Sequence, residues 1–216
     1  MLFDLSQLEA GDRYKLMASS ITPRPIAWVT TLSPDGVRNA APYSFFNMMA
    51  ADPPLIALGL MRKPNGDRKD TCANIVATGE FVVNLVSEDD LDAMNWTCAE
   101  APAGYDELAA AGVATAPSAM IRPPRIASAP VSFECRVVET LDFAPAATVV
   151  IGQVLALHMD DRFVDPERLH VDTPAMQLMA RMHGAGWYTR STDRIQRDRP
   201  SFEDLHRKAT GCDVTA

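Results

Sequence analysis

The sequence predicts a mainly β protein, an antiparallel β-barrel of Greek-key type with a few helical decorations, and three observations carry that expectation. Short apolar, β-branched runs recur between turn residues, at 25–32, 37–41, 54–61, 80–86, 131–141, 147–159 and 185–190. The early runs follow one another as hairpins and do not alternate regularly with helices, which argues against a doubly wound parallel sheet. Sixteen prolines and eleven glycines, spread along 216 residues, suit many turns better than a helical bundle.

Taken in order, residues 1–20 form a lead-in with a helical turn. PIAWVTTL (25–32) reads as a strand, and Ser33-Pro34-Asp35-Gly36 as a turn, with proline preset at its second position and glycine at its fourth. Residues 37–41 return, and PLIALGLM (54–61) is a third strand. Asp70 or Thr71 caps a short helix, DTCANIVAT, which Gly79 ends. EFVVNLV (80–86) is a strand, and Ser87 caps a further helix with Asp90 in its first turn. YDELAAAG (105–112) is another small helix, and 113–130, rich in Pro and Ala, is an extended connection. Two long strands at 131–141 and 147–159 turn around Pro145; 174–183 reads as a short helix and 185–190 as a last strand. Residues 1–192 thus make one domain, and the polar 193–216 a tail, either disordered or an arm docking on a partner such as the second subunit of a dimer.

The net charge of −8 lacks the basic surface a nucleic-acid binder needs. Cys72, Cys98, Cys135 and Cys212 show no CxxC spacing, so zinc and thioredoxin readings fail, and four reduced cytoplasmic thiols are expected. The N-terminus MLFDLSQLEAGDR carries acids early and has no signal-peptide pattern; no segment reaches the roughly 20 apolar residues of a membrane span. The expected location is the cytoplasm. Neither G-x-G-x-x-G nor G-x-x-x-x-G-K-[ST] occurs.

Four stretches carry candidate chemistry. In Ile21-Thr22-Pro23-Arg24-Pro25-Ile26-Ala27-Trp28, two prolines stiffen the backbone around an arginine, as the wall of a ligand slot or simply as a straight strand entry. Ala41-Pro42-Tyr43-Ser44-Phe45-Phe46-Asn47 mixes hydroxyls and an amide with aromatics, as a flat heterocycle with one polar edge requires, and as a core strand also can. Arg62 to Thr71 holds four basic residues within eight positions and runs into a helix start, where free N–H groups favour an anion; a solvated loop would look the same. His183-Gly184-Ala185-Gly186-Trp187-Tyr188 offers close backbone approach and aromatic cover.

Together these segments resemble the flavin reductase-like, FMN-binding split-barrel family, in its flavoredoxin-type branch. The resemblance rests on SSITPRPIAWVTTLSPDG (19–36), NAAPYSFFNMMAADPPLIALGL (39–60), KDTCANIVATGEFVVNLV (69–86) and HGAGWYTR (183–190), in the family's order. It implies a homodimer with FMN near the subunit interface. Arg24, Pro25, Ile26 and Trp28 would lie beside the flavin; Ser44, Phe45 and Asn47 would contact its ring or ribityl chain; Arg62, Lys69, Asp70 and Thr71 would hold the phosphate end. His183 and Tyr188 carry over only weakly. It further implies a flavin reductase with NADH or NADPH as co-substrate and no catalytic side chain, since the flavin carries the chemistry, with a monooxygenase as a partner for the reduced flavin. A non-catalytic FMN electron carrier and a flavin-free ligand-binding barrel are the alternatives. The residues do not distinguish NADH from NADPH, nor an exchanging from a resident flavin.

Overall fold

The computed structural model describes residues 1–211; Cys212, counted above among the thiols, lies outside the described residues. The main sheet has seven strands: β1 (Ala27–Leu32), β2 (Arg38–Tyr43), β3 (Phe46–Ala51), β4 (Pro54–Met61), β5 (Glu80–Leu85), β6 (Val131–Phe143) and β7 (Ala147–Met159). Every neighbouring pair is antiparallel, in the order β2-β1-β5-β6-β7-β4-β3. The helices are α1 (Ala10–Ser20), α2 (Asp70–Thr78), α3 (Leu91–Trp96), α4 (Glu107–Ala110) and α5 (Phe202–Thr210).

β2 and β3 are the two edges of this sheet, yet only Ser44 and Phe45 separate them in the chain. Laid flat, seven strands would hold their edges about 29 Å apart, whereas a two-residue step reaches at most about 11 Å. The sheet therefore coils until its edges approach at this corner without pairing, which is the split barrel the resemblance implies. Gly59 N–H donates to the Phe45 carbonyl at 2.7 Å, and a Cβ on Gly59 would meet the Phe45 Cβ at 3.0 Å, so a glycine lets the corner close.

Side chains alternate across β1, and both of its faces are covered. Ala27 and Val29 join the barrel interior with Leu58, Phe81 and Val150, where α2 adds Cys72 and Ile75. Ile26 and Trp28 face outward, under Met94 of α3, Leu108 of α4, and Val86 and Ile126. That double burial is why the sequence shows an unbroken apolar run here in place of an alternation. The 113–130 connection is fastened to the sheet by buried polar groups. Asn84 Oδ1 accepts from Ile126 N–H at 3.0 Å and from the Ser132 hydroxyl at 2.8 Å. The fully buried Glu134 accepts from Ala119 N–H at 2.7 Å and Met120 N–H at 2.6 Å, and pairs with His158. Burial penalises this carboxylate, but the two N–H donors and His158 outweigh the penalty and hold it below the usual range.

A second, three-stranded sheet joins distant parts of the chain. Arg24–Pro25 pairs with Met179–Arg181, which pairs with Tyr188–Arg190. The helix expected over 174–183 is therefore corrected: only Thr173–Met176 forms a helical turn, because Gln177 adopts the left-handed region and redirects the chain into a strand. Other expectations shift as well. β3 lay unread between two runs, and the lead-in holds an eleven-residue helix. Ser87 does not cap α3; it donates to Asp90 Oδ2 at 2.8 Å, and Asp90 is the capping position. Within the tail, residues 202–210 form α5, with a reciprocal Ser201–Asp204 capping box and a left-handed Gly211 closing it.

Candidate functional site

The start of α2 opens into a cleft of about 630 Å³. The sequence points to Asp70 or Thr71 as the cap of this helix, but Lys69 occupies that position and supplies no side-chain cap, so Asp70 is the first helical residue. The first intrahelical bond at this end is Ala73 N–H to the Lys69 carbonyl, at 2.9 Å. The N–H groups before it gain no partner from the cap, and they carry the positive end of the helix dipole. Lys63 and Lys69 line the same cleft. Lys63 stands 3.6 Å from Asp70 Oδ1, whereas Lys69 makes no ion pair among the described residues.

The floor of the cleft is a chain of buried polar groups. Asn39 Nδ2 donates to Glu107 Oε1 at 3.0 Å and to Oε2 at 3.1 Å, and Ala40 N–H donates to Oε2 at 3.1 Å. Thr71 Oγ1 donates to Asn39 Oδ1 at 2.7 Å, and Thr31 Oγ1 to the same oxygen at 3.2 Å. Burial raises the Glu107 carboxyl above its ordinary range, against the pull of its N–H donors. Burial likewise pushes the Tyr43 phenol up to about 12, tempered by its hydrogen bond with Thr71, so Tyr43 stays protonated at neutral pH. Pro42 and Ala41 add apolar wall from β2, and Thr97 and Cys98 border the cleft from the end of α3. Burial raises the Cys98 thiol, partly offset by Arg181 and Lys69.

The structure separates the residues singled out from the sequence. Lys69, Asp70 and Thr71 come together in the cleft. Arg24 does not reach it: its guanidinium is buried and donates to the carbonyls of Ala18, Ile21 (2.7 Å) and Met182 (3.0 Å), while its Nε donates to Ser44 Oγ at 3.3 Å. Those carbonyls close the C-terminal end of α1 and tie it to the second sheet. Pro25 is exposed beside this clamp and Ile26 is buried behind it. Trp28 is wholly buried, so its ring meets no ligand surface; its Nε1 donates to Thr97 Oγ1 at 3.0 Å and braces the cleft from behind.

Phe45 is exposed at the barrel corner, against Tyr14 of α1. Asn47 is exposed on β3 and accepts from Met48 N–H at 2.8 Å. Arg62 lies outside the cleft: it pairs with Asp142 at the β6–β7 turn, as does Arg68 at 3.1 Å, and both hold the 62–68 loop on the barrel. His183 stacks on Trp187, with ring centroids 6.4 Å apart, and the Tyr188 ring carries the Arg181 guanidinium at 4.9 Å. Sequence reasoning missed Asn39 and Glu107. Glu107 comes from the four-residue α4 and lies 67 positions from the Ala40 N–H that it accepts from, so no local pattern links the two, and only packing against β2 brings it in. Cys72, Cys98 and Cys135 are free thiols.

The family model described as "Flavin reductase like domain" matches residues 17–178. A protein of Deinococcus radiodurans is 38% identical over 205 residues, covering 93% of this chain and 90% of its own. Among solved structures, the 2-nitrobenzoate 2-nitroreductase NbaA of Pseudomonas fluorescens is similar, with a TM-score of 0.85 and 35% identity, covering 94% of this chain and 98% of that one. Component B of nitrilotriacetate monooxygenase from Bacillus cereus is also similar, with a TM-score of 0.85 and 31% identity, over 91% and 98% of the two chains.

Proposed function

From the premise that this chain belongs to the flavin reductase-like family, and so to flavin-linked oxidoreductases, we propose that it binds FMN and reduces it with NADH or NADPH. The observation that carries the reading is the α2 entrance: a lysine with no carboxylate partner among the described residues, a second lysine, and an uncapped helix start meet in one cleft. This donor set fits a phosphate monoester. The polar floor beneath it fits a chain of hydroxyls, and the family resemblance assigns Phe45 and Pro25 to the flat ring. Bound there, a flavin would accept hydride from a reduced nicotinamide.

The protein's own part is positional. Lys63 and Lys69 hold the anionic end, the Glu107–Asn39–Thr71 chain fixes the floor, and the proline-stiffened strand at Arg24–Pro25 presents a backbone that loses little freedom on binding. In this reading no side chain has to move a proton for that transfer.

We also propose a homodimer, supported by Met48, Met49, Val138, Leu141 and Phe143, all exposed large apolar side chains of β3 and β6. The likeness to component B of a monooxygenase supports a role in supplying reduced flavin to a second enzyme. The test is steady-state loss of nicotinamide absorbance with added FMN, for both nicotinamides. Turnover supports the reductase; stoichiometric reduction that then stops supports an electron carrier; no flavin-dependent oxidation removes the reading. Light scattering on the purified protein reads the dimer.

A further inference from the structure

The cleft at the start of α2 does not end at its lysines. Gly104 N–H donates to Asp70 Oδ2 at 3.3 Å, so the chain between α3 and α4 is fastened to the first residue of α2. Beside that chain lies a second hollow, of about 410 Å³, lined by Trp96, the last residue of α3, and by Tyr105. Its size falls in the range of roughly 300–1,000 Å³ usual for small-molecule sites. The two hollows share Ala99, Ala101 and Glu107 as walls, so one continues into the other.

The aromatic lining is unused by the fold. α3 turns Met94 into the core, whereas Trp96 is 73% exposed and Tyr105 49%. Among the described residues neither ring lies on another aromatic, and neither the indole N–H nor the phenol O–H has a hydrogen-bond partner. Two bare rings in one hollow are surface that a flat apolar-faced group would cover.

Charge narrows the occupant. Glu107 stands in both hollows, and Glu100, between the two shared alanines, lines the first. Carboxylates there disfavour an added anion and admit a neutral base. A phosphate monoester carries about two negative charges at neutral pH, and a diphosphate diester spreads as many over two phosphorus atoms. An adenylyl group joined through the phosphate therefore adds a flat base without adding net charge.

We infer that the Trp96–Tyr105 hollow seats the adenine of FAD, whose diphosphate lies at Lys63 and Lys69, so that the chain takes FAD in preference to FMN. This rests on the flavin reading above and deepens it by naming which flavin. Trp96 and Tyr105 are then the residues that set the choice.

Titration calorimetry of the full chain with FMN and with FAD tests it. Stacking of a base on an aromatic side chain is worth roughly 5- to 100-fold in affinity. Wild-type protein is expected to bind FAD more tightly than FMN by a factor in that range. Trp96→Ala is expected to remove the advantage and leave FMN affinity as it was, and Trp96→Phe, which keeps a ring, to retain part of it. Tyr105→Ala is expected to lower the same ratio by less.

Wild-type protein that binds FMN as tightly as FAD, or a Trp96→Ala protein that keeps the full FAD advantage, overturns the inference and leaves the flavin reading intact. So does a Trp96→Ala protein with unaltered flavin affinities and a raised KM for NADH, which assigns the hollow to the nicotinamide dinucleotide. Wild-type protein that binds neither flavin removes both readings. Should Trp96→Ala fail to fold by circular dichroism, the comparison passes to Tyr105→Ala, where an unchanged ratio of FAD to FMN affinity overturns the inference.

Discussion

Arg24 and Lys69 each stand at the entrance to a secondary-structure element, each in a segment rich in prolines or charges, and their situations are opposite. Arg24 is buried, with its donors shared among the carbonyls of Ala18, Ile21 and Met182 and the Ser44 hydroxyl. Lys69 lines a cleft and holds no carboxylate among the described residues. The difference teaches that a basic residue in a recognisable motif is a ligand-binding candidate only when the fold leaves its donors unassigned. Arg62 and Arg68 resemble the first case in part: both are drawn to Asp142, whose carboxyl they hold below its ordinary range, while each keeps a buried Nε without a partner among the described residues.

The largest expected effect would sharpen this contrast. Arg24→Ala leaves buried carbonyls without donors and opens a void, so stability should fall by about 3 kcal/mol or more, read as a lower urea midpoint. A midpoint within experimental error of wild type would break the comparison at its first member. Lys69→Ala is next. A charged hydrogen bond contributes roughly 1.5–3 kcal/mol, so FMN affinity should drop about 10- to 100-fold while the urea midpoint stays put. Calorimetry that finds Arg24→Ala the greater loss in FMN affinity, among folded protein, would reverse the assignment. Trp28→Phe removes one buried hydrogen bond to Thr97 and should cost about 1 kcal/mol of stability, with flavin affinity changed less than by Lys69→Ala.

The smallest effect concerns pH and a carboxylate that is fully assigned. Glu134 sits below its ordinary 4.5 in the folded chain, so the unfolded chain binds more protons as the medium is acidified. Its stabilisation is present above that ordinary value and is lost as pH falls through the depressed one. Glu134→Gln should therefore flatten the acid limb of a melting-temperature profile and leave the neutral region's slope as it was. An acid limb as steep as in wild type would assign the loss to other carboxylates.

Legibility in the sequence followed the range of the interactions. β4 was readable to the residue and α2 at its C-terminal end, because a bounded apolar run and a terminal glycine are local signals. β3 was hidden because Asn47 to Ala51 are mostly exposed and show no clean alternation. The helix expected over 174–183 failed because one left-handed residue, Gln177, outweighs the propensity of its neighbours. In the cleft, the α2 side was legible as a basic run ahead of a helix. The Glu107–Asn39 side was not, since strand and helix meet only through tertiary packing. Trp28, which the resemblance sets beside the flavin, is buried among Met94, Leu108 and Ile126, a packing no local pattern shows.

The pairing of Arg24–Pro25 with Met179–Arg181 bears on how the chain can be shortened. The stretch shared with the family stops at residue 178, just short of the strand that pairs with Pro25 and of the Met182 carbonyl that Arg24 holds. Cutting there would strip a neighbour from an edge, loosen the first helix's far end and bare main-chain groups apt to gather other molecules into aggregates. The unit that can be handled on its own runs at least through Arg190, where the hairpin's return strand ends.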